Sequence, residues 1–187
     1  METAAANASG EETVTEDKKG FVLWLTGLSG AGKSTIADRV YKKLAVNGRR
    51  VQKLDGDVLR DMFPSTGFSK EARDEHIKRV GFMASLLEKH GVVVVASFIS
   101  PYRTTRELVR KMCGNFIEVY VFASLAECER RDVKGLYKRV RAGEIENFTG
   151  IDDPYEQPEQ PQVFIDTETQ SVDESVAAIM KYIQKYL

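Results

Sequence analysis

The run Gly27-Leu28-Ser29-Gly30-Ala31-Gly32-Lys33-Ser34, followed by Thr35, has the spacing of a loop that wraps phosphate. Its glycines let the backbone bend so that successive N–H groups and the start of the following helix surround phosphate oxygens. Lys33 is then placed to reach the β- and γ-phosphates of a nucleotide, and the Ser34 hydroxyl to ligate Mg²⁺. A glycine-rich turn that fits the pattern by accident is the bland alternative. The apolar run before it and the helical period after it argue for the loop.

A second cluster, Asp55-Gly56-Asp57, stands where another apolar run ends. Two carboxylates at the carboxyl edge of a sheet can share a metal shell or accept a proton from an attacking hydroxyl. Ser34 and Asp55 are the metal candidates, and the residues by themselves leave open which carboxylate meets the hydroxyl. The competing reading makes Asp57 the N-cap of a helix starting near Val58. Arg60, Arg73 and Arg79 follow, with Arg73 and His76 three apart on a predicted helix and so on one face, beside Ile77 and Val80. Guanidinium forks there suit a phosphate or sulfate, though a solvated charged face fits the pattern equally well.

These residues need a frame. Apolar runs at 21–26, 51–54, 91–98, 116–122 and 163–165 alternate with amphipathic stretches, which predicts a parallel sheet with helices on both faces. Val92-Val93-Val94-Val95 is apolar without alternation and is expected at the sheet centre. Ser124 with Glu127 and Ser171 with Glu174 match capping boxes, and Ser100-Pro101 reads as a cap before a first-turn proline. Residues 132–161 mix Lys, Arg, Gly, Asp and Pro with scattered aromatics, the composition of a lid lacking regular core elements.

The bulk numbers narrow the class. A chain of 187 residues, 42% hydrophobic, is expected to form one domain over 20–187. Residues 1–19 hold almost nothing large and apolar and are expected to be a disordered tail. A formal charge of −1 argues against a general binder of nucleic acid or membrane surface. There is no secretory signal pattern and no run long enough to cross a bilayer, so a soluble cytoplasmic protein is expected. Cys113 and Cys128 fit no metal-binding spacing and read as reduced thiols.

Taken together, Gly27 to Thr35, Leu54 to Arg60, Gly67-Phe68-Ser69, Phe98-Ile99-Ser100-Pro101, Arg131 to Tyr137 and Asn147-Phe148-Thr149-Gly150-Ile151-Asp152 resemble the successive signatures of the adenylylsulfate kinase family. The resemblance implies a P-loop nucleotide-kinase fold, usually homodimeric, that uses ATP and Mg²⁺ to phosphorylate the 3′-hydroxyl of adenylyl sulfate. It places Asp57 at that hydroxyl, Arg60 and Arg73 on the phosphosulfate, and Phe68 and Phe148 on either side of the adenine. Phe98, Ile99, Lys134 and Asn147 are implied to line the same site, with His76 beside them and Arg131 on the nucleotide side. Arg130, Arg131 or Arg141 is expected to supply lid charge at the transition state. The family commonly has Asn where this chain has Val58 and His76, and the stretch between Asp57 and Phe68 is one residue shorter than in many relatives. The resemblance also presents Ser100 as a phosphoserine candidate, and it is kept as a catalytic candidate beside the helix-cap reading. Two other readings are a different small P-loop kinase and a nucleotide-binding module without activity. The aromatic pair argues against the first, and the intact Lys33, Ser34, Asp55 and Asp57 against the second.

Overall fold

In the computed structural model, which describes residues 19–63 and 69–187, the apolar runs become five parallel strands. They are β1 (Phe21–Thr26), β2 (Val51–Asp55), β3 (Val93–Ser97), β4 (Phe116–Phe122) and β5 (Val163–Asp166). Their order in the sheet is β2-β3-β1-β4-β5. The helices are α1 (Lys33–Val46), α2 (Gly56–Met62), α3 (Lys70–Lys89), α4 (Arg103–Met112), α5 (Leu125–Arg131), α6 (Leu136–Arg141) and α7 (Val172–Ile183).

All six β1 residues are buried because both faces of the sheet are covered. Phe21, Leu23 and Leu25 pack into the cluster that includes Ile36, Val40 and Leu44 of α1 and Val176 and Ile179 of α7. Val22 and Trp24 face the opposite way, among Ile77, Val80 and Ala84 of α3 and Val109 of α4. The central strand is thus β1, not the valine run of β3, which lies between β1 and the edge strand β2. Unbroken apolarity marks any interior parallel strand, so it could not rank these two.

Three local expectations need correction. Ser100 does not cap α4, whose N-cap is Tyr102, with no capping bond from its side chain. The Glu156 carboxylate accepts the Arg103 N–H at 2.8 Å in its place. Segment 132–161 is not wholly irregular, because it contains α6. Asp132 starts that helix from upstream, its two oxygens accepting the N–H groups of Tyr137 and Lys138 at 3.0 Å each. The capping box at Ser171 is complete, but at Ser124 only half forms. Ser124 Oγ accepts from the Glu127 N–H, while the Glu127 carboxylate turns to Arg130 and Arg131.

The expected tail, apart from Lys19, lies outside the described residues. The Lys19 carbonyl accepts from Arg49 at 2.6 Å, next to the start of β1. At that same edge the Tyr186 ring, near the end of the chain, lies 5.5 Å from Phe21. Cys113 and Cys128 are free thiols, and burial pushes Cys113 up to about 12. Among the described residues no helix is long and apolar enough to cross a membrane.

Candidate active site

A cavity of about 580 Å³ opens at the carboxyl edge of the sheet, where the chain leaves β1 with β3 on one side and β4 on the other. Crevices at such switch points are where open α/β sheets bind ligands. Ser29, Gly30, Gly32, Lys33, Ser34 and Thr35 line one end. The loop shape depends on Gly27, at φ 154°, where a Cβ would meet the Val121 carbonyl at 2.2 Å. Lys33 is buried and folds back on its own loop, donating to the carbonyls of Gly27 at 2.9 Å and Leu28 at 2.7 Å. Burial holds its amine down at about 8, although Cys128, Asp57 and Asp55 favour the charged form. A dry ammonium held by neutral carbonyls is a cation prepared for an anion.

Gly27, Leu28 and Ala31 shape the loop without lining the cavity, and Arg131 likewise stands behind it. Arg131 donates to the Gly30 carbonyl at 3.3 Å and to the Thr167 hydroxyl and carbonyl at 2.9 Å each. Thr167 in turn donates to the Ala31 carbonyl at 3.0 Å. Thr167 carried no sequence signal, because its role comes only from β5 lying beside β4. Arg130 pairs with Glu127 and Arg141 with Glu129, and neither expected lid arginine lines the cavity; within the segment 132–161 the cation that does is Lys134.

Asp55 and Asp57 line the middle of the cavity. Asp55 is the N-cap of α2, accepting the Asp57 N–H at 3.0 Å. The capping role considered for Asp57 therefore belongs to Asp55, and the Asp57 side chain is left to pair with Lys134. Ser34 and Asp55 both line the cavity and offer hard oxygen donors, which fits Mg²⁺ that keeps most of its shell from phosphate and water.

The far end is formed by Arg60, Arg73, His76, Phe98, Ile99 and Ser100, with Asn147 and Phe148 closing it. Phe68 lies outside the described residues. Arg73 is buried and donates to Asp153 at 2.6 Å, to Thr149 Oγ1 and to the Asn147 carbonyl. Phe148 meets Tyr137 edge-on at 5.0 Å, and the Tyr137 hydroxyl donates to the Ser29 carbonyl at 2.9 Å, tying α6 to the phosphate loop. His76 is buried beside Phe98 and Phe63, and among the described residues neither ring nitrogen has a partner. Burial, then Arg60 and Arg79, keeps it neutral down to about 4. Ser97 Oγ, also buried at the cavity, likewise has no partner among the described residues. Such groups are costly unless a ligand or water completes them.

Ser100 holds a left-handed backbone, φ 41°, and is almost wholly buried. Its hydroxyl donates to Thr26 Oγ1 at 3.0 Å and accepts from Trp24 Nε1 at 3.1 Å. Its carbonyl accepts from Arg106 at 2.7 Å. The turn is thereby fixed from β1 and α4 at once.

The family model described as adenylylsulphate kinase matches residues 19–166. The chain belongs to that family. An adenylyl-sulfate kinase of Microcystis aeruginosa is 56% identical over 163 residues, 87% of this chain and 90% of its own length. One from Gloeothece citriformis is 56% identical over 87% of this chain and 93% of its own. Among solved structures, the Mycobacterium tuberculosis APS kinase CysC, in complex with AMPPNP and APS, superposes with a TM-score of 0.85 at 40% identity. That match covers 89% of this chain and 98% of the other. Family membership agrees with the cavity, since a phosphate loop at one end and an aromatic and arginine cluster at the other suit two nucleotides meeting head-on.

Proposed function

We infer that this protein is an ATP-dependent adenylyl-sulfate kinase, which moves the γ-phosphate of ATP to the 3′-hydroxyl of adenylyl sulfate to give 3′-phosphoadenylyl sulfate and ADP. The observation that carries the reading is one continuous cavity joining Lys33, Asp57 and the Arg73 and Phe148 end, within a chain of this family.

The site roles follow from that placement. Lys33 leaves its loop carbonyls for the β- and γ-phosphates and offsets charge developing on them. The acceptor lies with its adenine on Phe148 and its anion toward Arg60 and Arg73, which brings its 3′-hydroxyl to Asp57. The hydroxyl oxygen bonds to the γ-phosphorus as the bond to the β–γ bridging oxygen breaks. Asp57 receives the proton and ADP leaves with the bridging oxygen. Asp57 must first part from Lys134, whose charge is then near the transferred group. Ser34 and Asp55 would hold Mg²⁺, which would lower the charge cost on the phosphates. Within the lid segment 132–161, the stretch around α6 that carries Lys134 is the part that closes on binding. The family resemblance supports a cytosolic homodimer, which light scattering of the purified protein tests.

ADP release from magnesium-ATP, measured with adenylyl sulfate and with AMP in parallel, tests the reading. Turnover confined to adenylyl sulfate is expected. Equal rates with AMP would mean that the far end of the cavity does not read the sulfate.

A further inference from the structure

Asp153 does not line the cavity, yet it touches what builds the far end of it. Its carboxylate accepts from Arg73 of α3 at 2.6 Å, and its two oxygens accept from the Tyr102 hydroxyl, at the start of α4, at 3.0 and 2.9 Å. Its N–H donates to the Phe148 carbonyl at 3.2 Å, and its carbonyl accepts from the Gly150 N–H at 2.7 Å. Side chain and backbone therefore serve the same turn in different ways. The backbone closes residues 148–153 into the loop that presents Phe148, and the side chain ties that loop to two helices.

Arg73 completes the arrangement from the other side, donating to Thr149 and to the Asn147 carbonyl, so the turn wraps around its guanidinium. A buried guanidinium needs a counter-charge, and the Asp153 carboxylate supplies one without entering the cavity. The neighbouring Asp152 has a separate task. It accepts the N–H groups of Asn147, at 2.6 Å, and of Phe148, holding Asn147 at φ 56°, a left-handed conformation that asparagine adopts more readily than most residues. Two adjacent aspartates thus fix the turn, one on its outer side and one through Arg73.

We propose that Asp153 is the positioning residue of the acceptor pocket, locking the Arg73 guanidinium and the Phe148 ring into one preassembled unit that recognises the anion and the adenine of the same molecule. The proposal rests on the acceptor reading given above. A recognition unit loses affinity when its supporting groups are loosened, even if every contacting residue remains. Among the described residues Asp153 makes no hydrogen bond to the phosphate loop; the turn it holds meets that loop only by packing, Gly150 lying against Leu28, so its loss is expected to act on the acceptor end first.

Asp153→Asn removes the charge while keeping the shape, and Tyr102→Phe removes a single hydroxyl. For each, KM is measured for adenylyl sulfate at saturating ATP and the reverse, and the Kd of adenylyl sulfate is measured calorimetrically with ADP present. Asp153→Asn is expected to raise KM and Kd for adenylyl sulfate about tenfold, the worth of one charge-assisted hydrogen bond, with kcat and the KM for ATP within about twofold. Tyr102→Phe is expected to raise the same two constants about threefold. Lower kcat or a smaller folded fraction with unchanged acceptor affinity would make Asp153 merely structural. Tighter acceptor binding would make it a competitor for Arg73, and either result overturns the proposal. If Asp153→Asn does not fold, an unchanged Kd in Tyr102→Phe overturns it. A wild-type protein inactive on adenylyl sulfate would instead sink the functional reading on which this inference rests.

Discussion

Lys134 and Asp57 form an ion pair across the mouth of the cavity, so the proposed base is engaged by a lid cation before any acceptor arrives. Both side chains are half exposed or more, and a pair of that kind is worth no more than about 1 kcal/mol. An incoming hydroxyl can therefore displace it. Asp57→Asn should lower kcat by about 10²–10⁴, the loss expected for a general base. Thermal melts should be nearly unchanged, because Asp55 supplies the helix cap. A loss under tenfold would leave Asp57 a solvated carboxylate.

Lys33→Ala should abolish turnover and leave the circular dichroism spectrum intact. It also has a pH signature. The Lys33 amine sits at about 8 in the fold against about 10.5 when exposed. Between those values the unfolded chain holds a proton that the folded chain does not, so this group makes stability rise with pH across the window and imposes its full cost below it. Wild-type melting temperature, relative to Lys33→Ala, should therefore improve between pH 7 and pH 9.5. A gap that stays constant would contradict the lowered amine.

Trypsin should report on the lid. Lys134, Lys138 and Arg141 belong to segment 132–161, and the Lys134 and Arg141 side chains are each half exposed or more. Cleavage there is expected in the free protein and should be suppressed by magnesium-ADP with adenylyl sulfate. Equal digestion rates with and without ligands would show that the segment does not close.

Ser100→Ala should retain most of its kcat. The serine hydroxyl already donates to Thr26 and accepts from Trp24, so a nucleophile would have to give up the first bond and attack with its single remaining lone pair. Removing it leaves a buried indole N–H unpaired, which costs about 1–3 kcal/mol of stability. Trapping a phosphorylated Ser100 that chases into product at the turnover rate would reverse this reading.

The phosphate loop, the strand runs and the Asp55 and Asp57 pair were legible because each depends on neighbours in sequence: a glycine spacing, an apolar period, a strand end. Ser100 misled because a serine before proline carries the local signature of a cap. Its real partners, Trp24 and Thr26, are 76 and 74 residues away. Helix α6 was hidden for a related reason, since its first N–H groups are satisfied by Asp132, four residues ahead of Leu136, and that spacing matches no ordinary capping pattern. The ties from Arg73 to Asp153 and from Arg131 to Thr167 exist only after the sheet has ordered its strands. Uniform apolarity does not encode that order, as the misplaced centre of the sheet shows.

The contact between Phe21 and Tyr186, with the Arg49 bond to Lys19, brings the two ends of the described fold to the edge where the parallel strands begin. The cavity opens at the other edge, about one strand length away, which for six residues is roughly 20 Å. A tag, a surface tether or a second enzyme joined at residue 19 or residue 187 would thus hang from the floor of the domain rather than over its doorway. The fold can be mounted from below, by either end, with its substrates still arriving from above.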